Sequence, residues 1–187
     1  MTALDKRARI QLPSAEDLNS LLHYEANTGL LYWKRRPLDM FKCVRTANSW
    51  NSRYASKEAF TCISAKGYKS GTIFDRNYQA HRIIWVMVYS EDPGHTVDHI
   101  NGDASDNRLS NLRKADHSSN MRNSKKSAAN TSGFKGVSLH KQTGKWIARI
   151  RSEGKYLHLG LFSKLSDAKL AYENASKIFH GQFGRLE

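Results

Sequence analysis

The chain has 187 residues, 39% of them hydrophobic, enough for one modest domain or two small ones. Lysine and arginine number 30 against 17 acidic residues, and the formal net charge of +13 favours a polyanion, either nucleic acid or an anionic membrane surface. No apolar run is long enough to span a bilayer, the first residues hold no signal-peptide core, and Cys43 and Cys62 are too few and wrongly spaced for a zinc site or a disulfide framework.

Ser14 to Asp17 followed by Leu18, Leu21 and Leu22 predicts a short capped helix. A turn at Asn27-Thr28-Gly29 leads into a strand at Leu30 to Trp33, which Pro37 follows. Residues 37–60 resist assignment, with Trp50 and Tyr54 isolated among polar side chains. Ser64 to Gln79 reads as a β-hairpin. His81 to Tyr89 reads as a buried helix, although its periodicity alone does not distinguish helix from strand. A strand at Thr96 to Ile100, a polar loop, a strand at Leu109 to Lys114 and a helix from about Asp116 to Ser124 then give a β-β-α unit. Residues 123–132, small, polar and basic, read as a linker. Three strands follow, at Lys135 to His140, Lys145 to Arg151 and Tyr156 to Leu161, and then a helix from about Lys164 to His180. Positive charge is concentrated late: from Ala104 onward there are 16 basic residues against 6 acidic ones.

The densest chemistry is Val97-Asp98-His99-Ile100-Asn101-Gly102-Asp103, read with Asn111 and Asn120. Asp98 and Asn120 offer oxygen, the donor that Mg²⁺ or Mn²⁺ prefers, and His99 titrates near neutrality and can take a proton from water. Adjacent side chains on a regular strand face opposite ways, so a site using both Asp98 and His99 requires the strand to bend or end there. Asn111, on the paired strand, is placed to hold the imidazole. Asn101, Gly102, Asp103, Asp106 and Asn107 read as loop architecture. In so basic a chain the expected electrophile is a phosphodiester.

These residues, together with His81-Arg-Ile-Ile-Trp85, Asp106-Asn107-Arg108, Asn111-Leu-Arg113 and Asn120-x-x-Asn123, resemble the HNH (ββα-metal) endonuclease motif of phage and homing enzymes. Tyr24 to Trp33 resembles the piece that often precedes it. The resemblance implies Asp98 and Asn120 as metal ligands, His99 as general base and Asn111 as its orienter. Asn123, one helical turn from Asn120, is either a supporting residue or an alternative ligand, and His81, ahead of an apolar helix, reads as a core histidine before a supporting or catalytic one. It also implies one Mg²⁺ or Mn²⁺ per active site, no organic cofactor, and products with 5′-phosphate and 3′-hydroxyl ends. Arg113, Arg122, Lys125 and Lys126 flank this set, placed for phosphates.

In the last segment Trp146, Ala148 and Ile150 alternate with Lys145, Ile147, Arg149 and Arg151, which predicts a sheet with one core face and one basic, aromatic face. Leu165, Ala168, Ala171, Tyr172, Ala175 and Phe179 fall at helical spacing and would cover the core face. Residues 133–183 resemble the plant Apetala-two/ethylene-response-factor DNA-binding domain through Gly133-Phe-Lys-Gly-Val137, Gly144-Lys-Trp146, Leu159-Gly-x-Phe162 and Ala171-Tyr172. By position, that resemblance implies DNA contacts at Lys135, Ser138, His140, Lys145, Arg149, Arg151, Tyr156 and His158.

The expected class is therefore α+β, with a β-rich extension over 1–79, a ββα-metal nuclease core over 80–125, the linker, and a DNA-binding domain over 133–187 made of a three-stranded antiparallel sheet packed on one helix. The expected function is a metal-dependent DNA endonuclease of homing or prophage type. It would act on double-stranded DNA as monomer or homodimer in the cytoplasm of a bacterium or phage-infected host, with no membrane partner. The competing expectations are a non-catalytic DNA-binding regulator and, through Trp33, Trp50 and Tyr54, an RNA-directed nuclease.

Overall fold

In a computed structural model of the chain, the described residues are 11–94, 96–116, 122–123, 126–127, 129–184 and 186. They fall into two compact units, Met1–Lys114 and Ala115–Glu187. Among the described residues no helix is long and apolar enough to cross a membrane.

The first unit opens with α1 (Ala15–Leu21), whose N-cap Ser14 hydroxyl accepts from the Asp17 amide at 3.0 Å. Its buried Leu18 and Leu21 continue into β1 (Leu22–Glu25), which pairs antiparallel with β2 (Leu30–Trp33). Gly29 closes the hairpin at φ +74°, and a Cβ there would lie 2.5 Å from the Arg108 amide nitrogen, so only glycine lets this turn rest on residues 107–108. The unassigned stretch contains a helix, α2 (Val44–Tyr54), and then β3 (Glu58–Ala59), which joins β2. The Asn51 side chain clamps α2 by accepting from the Arg36 amide and donating to the Arg36 carbonyl, both at 2.9 Å. The Arg36 guanidinium lies 5.1 Å from the Trp33 ring and 3.9 Å from the Trp50 ring.

Strands β4 (Cys62–Ile63), β5 (Lys69–Ile73) and β6 (Arg76–Gln79) form a second antiparallel sheet, which leads directly into α3 (Ala80–Tyr89). Ile83 and Ile84 of α3 are fully buried, worth roughly 2 kcal/mol each in transfer free energy. Ser90 at φ +54° ends the helix, its amide donating to the Val86 carbonyl. The core joins Leu18, Leu22, Leu31, Phe60, Ile73 and Tyr78 to α3, and to Val97 of β7 (Thr96–His99) and Leu112 of β8 (Leu112–Ala115). Strands β7 and β8 pair with each other. The second strand of the β-β-α unit thus starts three residues later than its sequence suggests. Leu109–Asn111 form a 3-10 turn, because the Asn111 side chain is taken up by the preceding loop. The helix expected next lies mostly outside the described residues.

In the second unit β9 (Val137–His140), β10 (Lys145–Ser152) and β11 (Lys155–Phe162) form an antiparallel sheet in the order β11-β10-β9, with α4 (Leu165–Phe179) packed against it. Val137, Ala148, Ile150, Ala168, Tyr172 and Ala175 make its core. Gly136, at φ +71°, lies where any Cβ would overlap the Tyr172 ring.

Candidate active site and nucleic-acid interface

Strand β7 ends at His99, and there the chain turns so that Asp98 and His99 are both buried, at 5% and 4% exposure. His99 Nε2 lies 3.0 Å from Asn107 Oδ1. Asn107 Nδ2 donates to the Ser105 carbonyl, so its oxygen faces the imidazole and Nε2 must be the donor. That fixes the tautomer and makes Nδ1 the basic nitrogen.

Asn107 is itself held from the front of the chain. The Tyr24 hydroxyl donates to its carbonyl at 3.0 Å, and the Gly29 turn rests on the peptide that follows it. Burial pushes the Tyr24 hydroxyl pKa upward, which keeps it a neutral donor. Asn107 was expected to shape the loop and instead touches the imidazole; its only sequence signal is an Asp-Asn dipeptide eight residues after the histidine. Asn111 has the opposite outcome. Its amide accepts from the Asn101 backbone and donates to Asn101 Oδ1 and the Asp106 carbonyl, so it fastens the loop while Asn107 orients His99. The rest of the loop is the expected architecture: Asn101 Oδ1 accepts from the Asp103 amide, and Asp106 is bound by Arg108, whose hydrogen bond lowers the carboxyl pKa to about 2.

His81, on the first turn of α3, is buried with its ring 5.1 Å from that of His99 and nearly perpendicular to it. Tyr68 closes the group at 5.3 Å from His81 and 5.8 Å from His99. Burial, then the neighbouring His99 and Arg82, lower the His81 pKa to about 3, so it is neutral at physiological pH. Among the described residues its Nδ1 has no hydrogen-bond partner.

Asp98 receives the Arg113 Nε at 2.9 Å and lies 2.8 Å from its Nη2. Arg113, expected at DNA phosphates, is thus turned inward on the carboxylate. Asn120 and Lys125 lie outside the described residues. Asn123 is buried at 6% exposure, and the Lys126 ammonium donates to the Gly133 carbonyl. Among the described residues no three His, Cys, Asp or Glu side chains group around a common point. Asp98 offers the carboxylate oxygen that a hard ion takes beside its waters and a phosphate.

In the second unit, strand register places Lys145 opposite His140, Ile147 opposite Ser138, Arg149 opposite His158 and Arg151 opposite Tyr156, all on the face away from α4. Seven of the eight implied DNA contacts therefore share one face. The register shift beside Ala148 and Arg149 adds its extra residue, Leu159, on β11, so β10 alternates without interruption and keeps both arginines on that face. Ile147, expected among these exposed residues, is buried at 5% exposure. Lys135 donates to the Arg122 carbonyl at 2.7 Å, and both line a cavity of about 450 Å³ together with Arg149, Arg151, Tyr156 and His180. Burial and these cations lower the His180 pKa, against the pull of the Arg151 carbonyl on its Nε2.

A family model for HNH endonuclease matches residues 78–122, the stretch that holds His81, Asp98, His99, Asn107 and Arg113. Protein 3.8 of Escherichia phage T7 is 32% identical over 122 residues, which are 65% of this chain and 98% of that protein. The chain belongs to the HNH endonuclease family. The C-terminal part of this HNH protein is similar to two dehydration-responsive element-binding proteins of Arabidopsis thaliana. Protein 2H is 51% identical over 45 residues and protein 2C is 44% identical over 55 residues. The chain spans 29% and 16% of those two proteins, so the likeness is to one segment of each. No solved structure matches.

Proposed function

We propose that this HNH protein is an endonuclease of homing or prophage type that hydrolyses phosphodiester bonds in double-stranded DNA, with a divalent ion as cofactor. The observation that supports this reading is the buried His99 imidazole, its Nε2 3.0 Å from the amide oxygen of Asn107. His99 Nδ1 takes a proton from water as the water oxygen attacks phosphorus. The bond from phosphorus to the 3′ oxygen breaks and that oxygen takes a proton from solvent water, which leaves a 5′-phosphate and a 3′-hydroxyl. Tyr24, Gly29 and Asn107 keep the imidazole in place, and Tyr68 and His81 wall it off on one side. Asp98 and Asn120 would hold Mg²⁺ or Mn²⁺, which when bound neutralises phosphate charge and eases departure of the leaving oxygen. The basic face of β9–β11 docks the duplex, its side chains in the major groove.

A second reading, a DNA-binding regulator with the HNH unit as scaffold, is favoured by the Arg113 guanidinium, which already occupies an oxygen of Asp98. Supercoiled plasmid incubated with the protein in Mg²⁺, in EDTA, and with His99→Ala separates the two. Nicked or linear product only with wild type and Mg²⁺ is expected. Intact plasmid in every lane, alongside retained DNA binding, would transfer the assignment to the regulator.

A further inference from the structure

We propose that α2 is a second DNA-docking element, one that lays its exposed face along duplex DNA independently of the sheet in the second unit. The proposal rests on the reading of the chain as a DNA-acting HNH protein and adds a surface that neither family resemblance supplied.

The positive charge of the first unit is focused on the segment that contains this helix. Residues 1–114 hold 17 basic and 12 acidic side chains, a net of +5. Lys34 to Lys57 alone hold seven basic residues against Asp39, a net of +6, so the remainder is net negative. Among the described residues no carboxylate pairs with Lys42, Arg45, Arg53 or Lys57.

The helix presents that charge in order. At 100° per residue Arg45, Asn48, Ser49, Ser52 and Arg53 share one side, and all are exposed. Ala47, Trp50, Asn51 and Tyr54 fall on the other side, where Trp50 stacks on Tyr54 and Arg36 and Asn51 clamps the Arg36 backbone. The outer face thus has hydrogen-bonding side chains in the middle and a guanidinium toward each end. That is the composition that reads base edges and holds phosphates. An element of eleven residues is about 16 Å long and fits a major groove.

Solubility alone does not explain the choice of residues. Thr, Asn and Ser are poor helix formers, and an exposed face selected only for solubility would carry Glu, Lys, Gln and Ala. Here the weak propensity is offset by the Trp33–Arg36–Trp50 stack and the Asn51 clamp, so the helix is held rigid from behind while its front stays polar and cationic.

The test measures binding of the full chain to a fluorescent random-sequence 30-base-pair duplex as a function of salt, with R45A/R53A, R45K/R53K and, in parallel, R149A/R151A. Circular dichroism checks that each is folded. R45A/R53A is expected to bind roughly tenfold more weakly at 0.15 M salt, with a log–log salt slope shallower by about two; R45K/R53K is expected to keep the wild-type slope. If R45A/R53A binds as wild type does while R149A/R151A weakens, the α2 surface is overturned and the DNA reading stands. If the wild-type chain does not bind duplex at all, both fall together.

Discussion

Asn107 Oδ1 lies 3.0 Å from His99 Nε2, and this contact sets which imidazole nitrogen is basic. A base contributes to rate only while its lone pair faces the water, a contribution of roughly 10²- to 10⁴-fold for a well-placed histidine. Asn107→Ala is expected to slow plasmid cleavage by at least about tenfold with duplex affinity unchanged. Asn107→Asp retains the acceptor and adds negative charge beside the imidazole. It is expected to restore much of the rate, because the acceptor at Nε2 is kept. A cleavage rate indifferent to both changes would remove Asn107 from the mechanism.

Much of this site was legible in the sequence, but not its wiring. The Asp98-His99 pair, the buried α3 and the alternation of β10 follow from local periodicity and motif, and the structure has them where the pattern puts them. Asn107 and Asn111 are both asparagines in a turn-rich loop; which one meets the imidazole depends on where Tyr24 and Gly29, some eighty residues earlier, press on that loop. The α2 helix escaped because its inward side holds a buried asparagine and an arginine between two indoles, a polar support invisible to hydropathy. Ile147 was placed on the outer face correctly by alternation, but alternation carries no information on what covers it.

The Gly29 turn transmits the N-terminal extension to the site. Gly29→Ala would force a Cβ to within 2.5 Å of the Arg108 amide at a φ of +74°. A cost of about 1–3 kcal/mol is expected from backbone strain and the displaced peptide, read as a lower melting temperature. Because the displaced segment carries Asn107, cleavage is expected to fall even at temperatures where the variant is folded. A folded Gly29→Ala with the wild-type cleavage rate would uncouple the extension from the imidazole.

Asp98 and Arg113 are both largely buried, with side-chain exposures of 5% and 13%. Removing one partner of such a pair strands the other, at a cost of about 3–5 kcal/mol. Arg113→Gln is expected to destabilise the protein on that scale in urea unfolding, and Asp98→Asn in the same background is expected to recover part of the loss. Additive effects in this double-mutant cycle would mean that the pair is not coupled.

His81 gives the protein a stability that depends on pH in a definite direction. Its pKa is about 3 in the folded chain and 6.5 in the unfolded one, because the folded ring is buried against His99. Above pH 6.5 both states carry it neutral and it exerts no pH effect. Between pH 6.5 and 3 the unfolded state takes up a proton that the folded state refuses, so stability falls with pH by up to about 1.4 kcal/mol per unit. His81→Gln removes the titrating group. The variant is expected to lose less melting temperature than wild type between pH 7 and 5, whatever its stability at pH 7. Parallel melting curves of the two proteins across that range would show that His81 takes up its proton equally in both states, which the buried ring beside His99 does not permit.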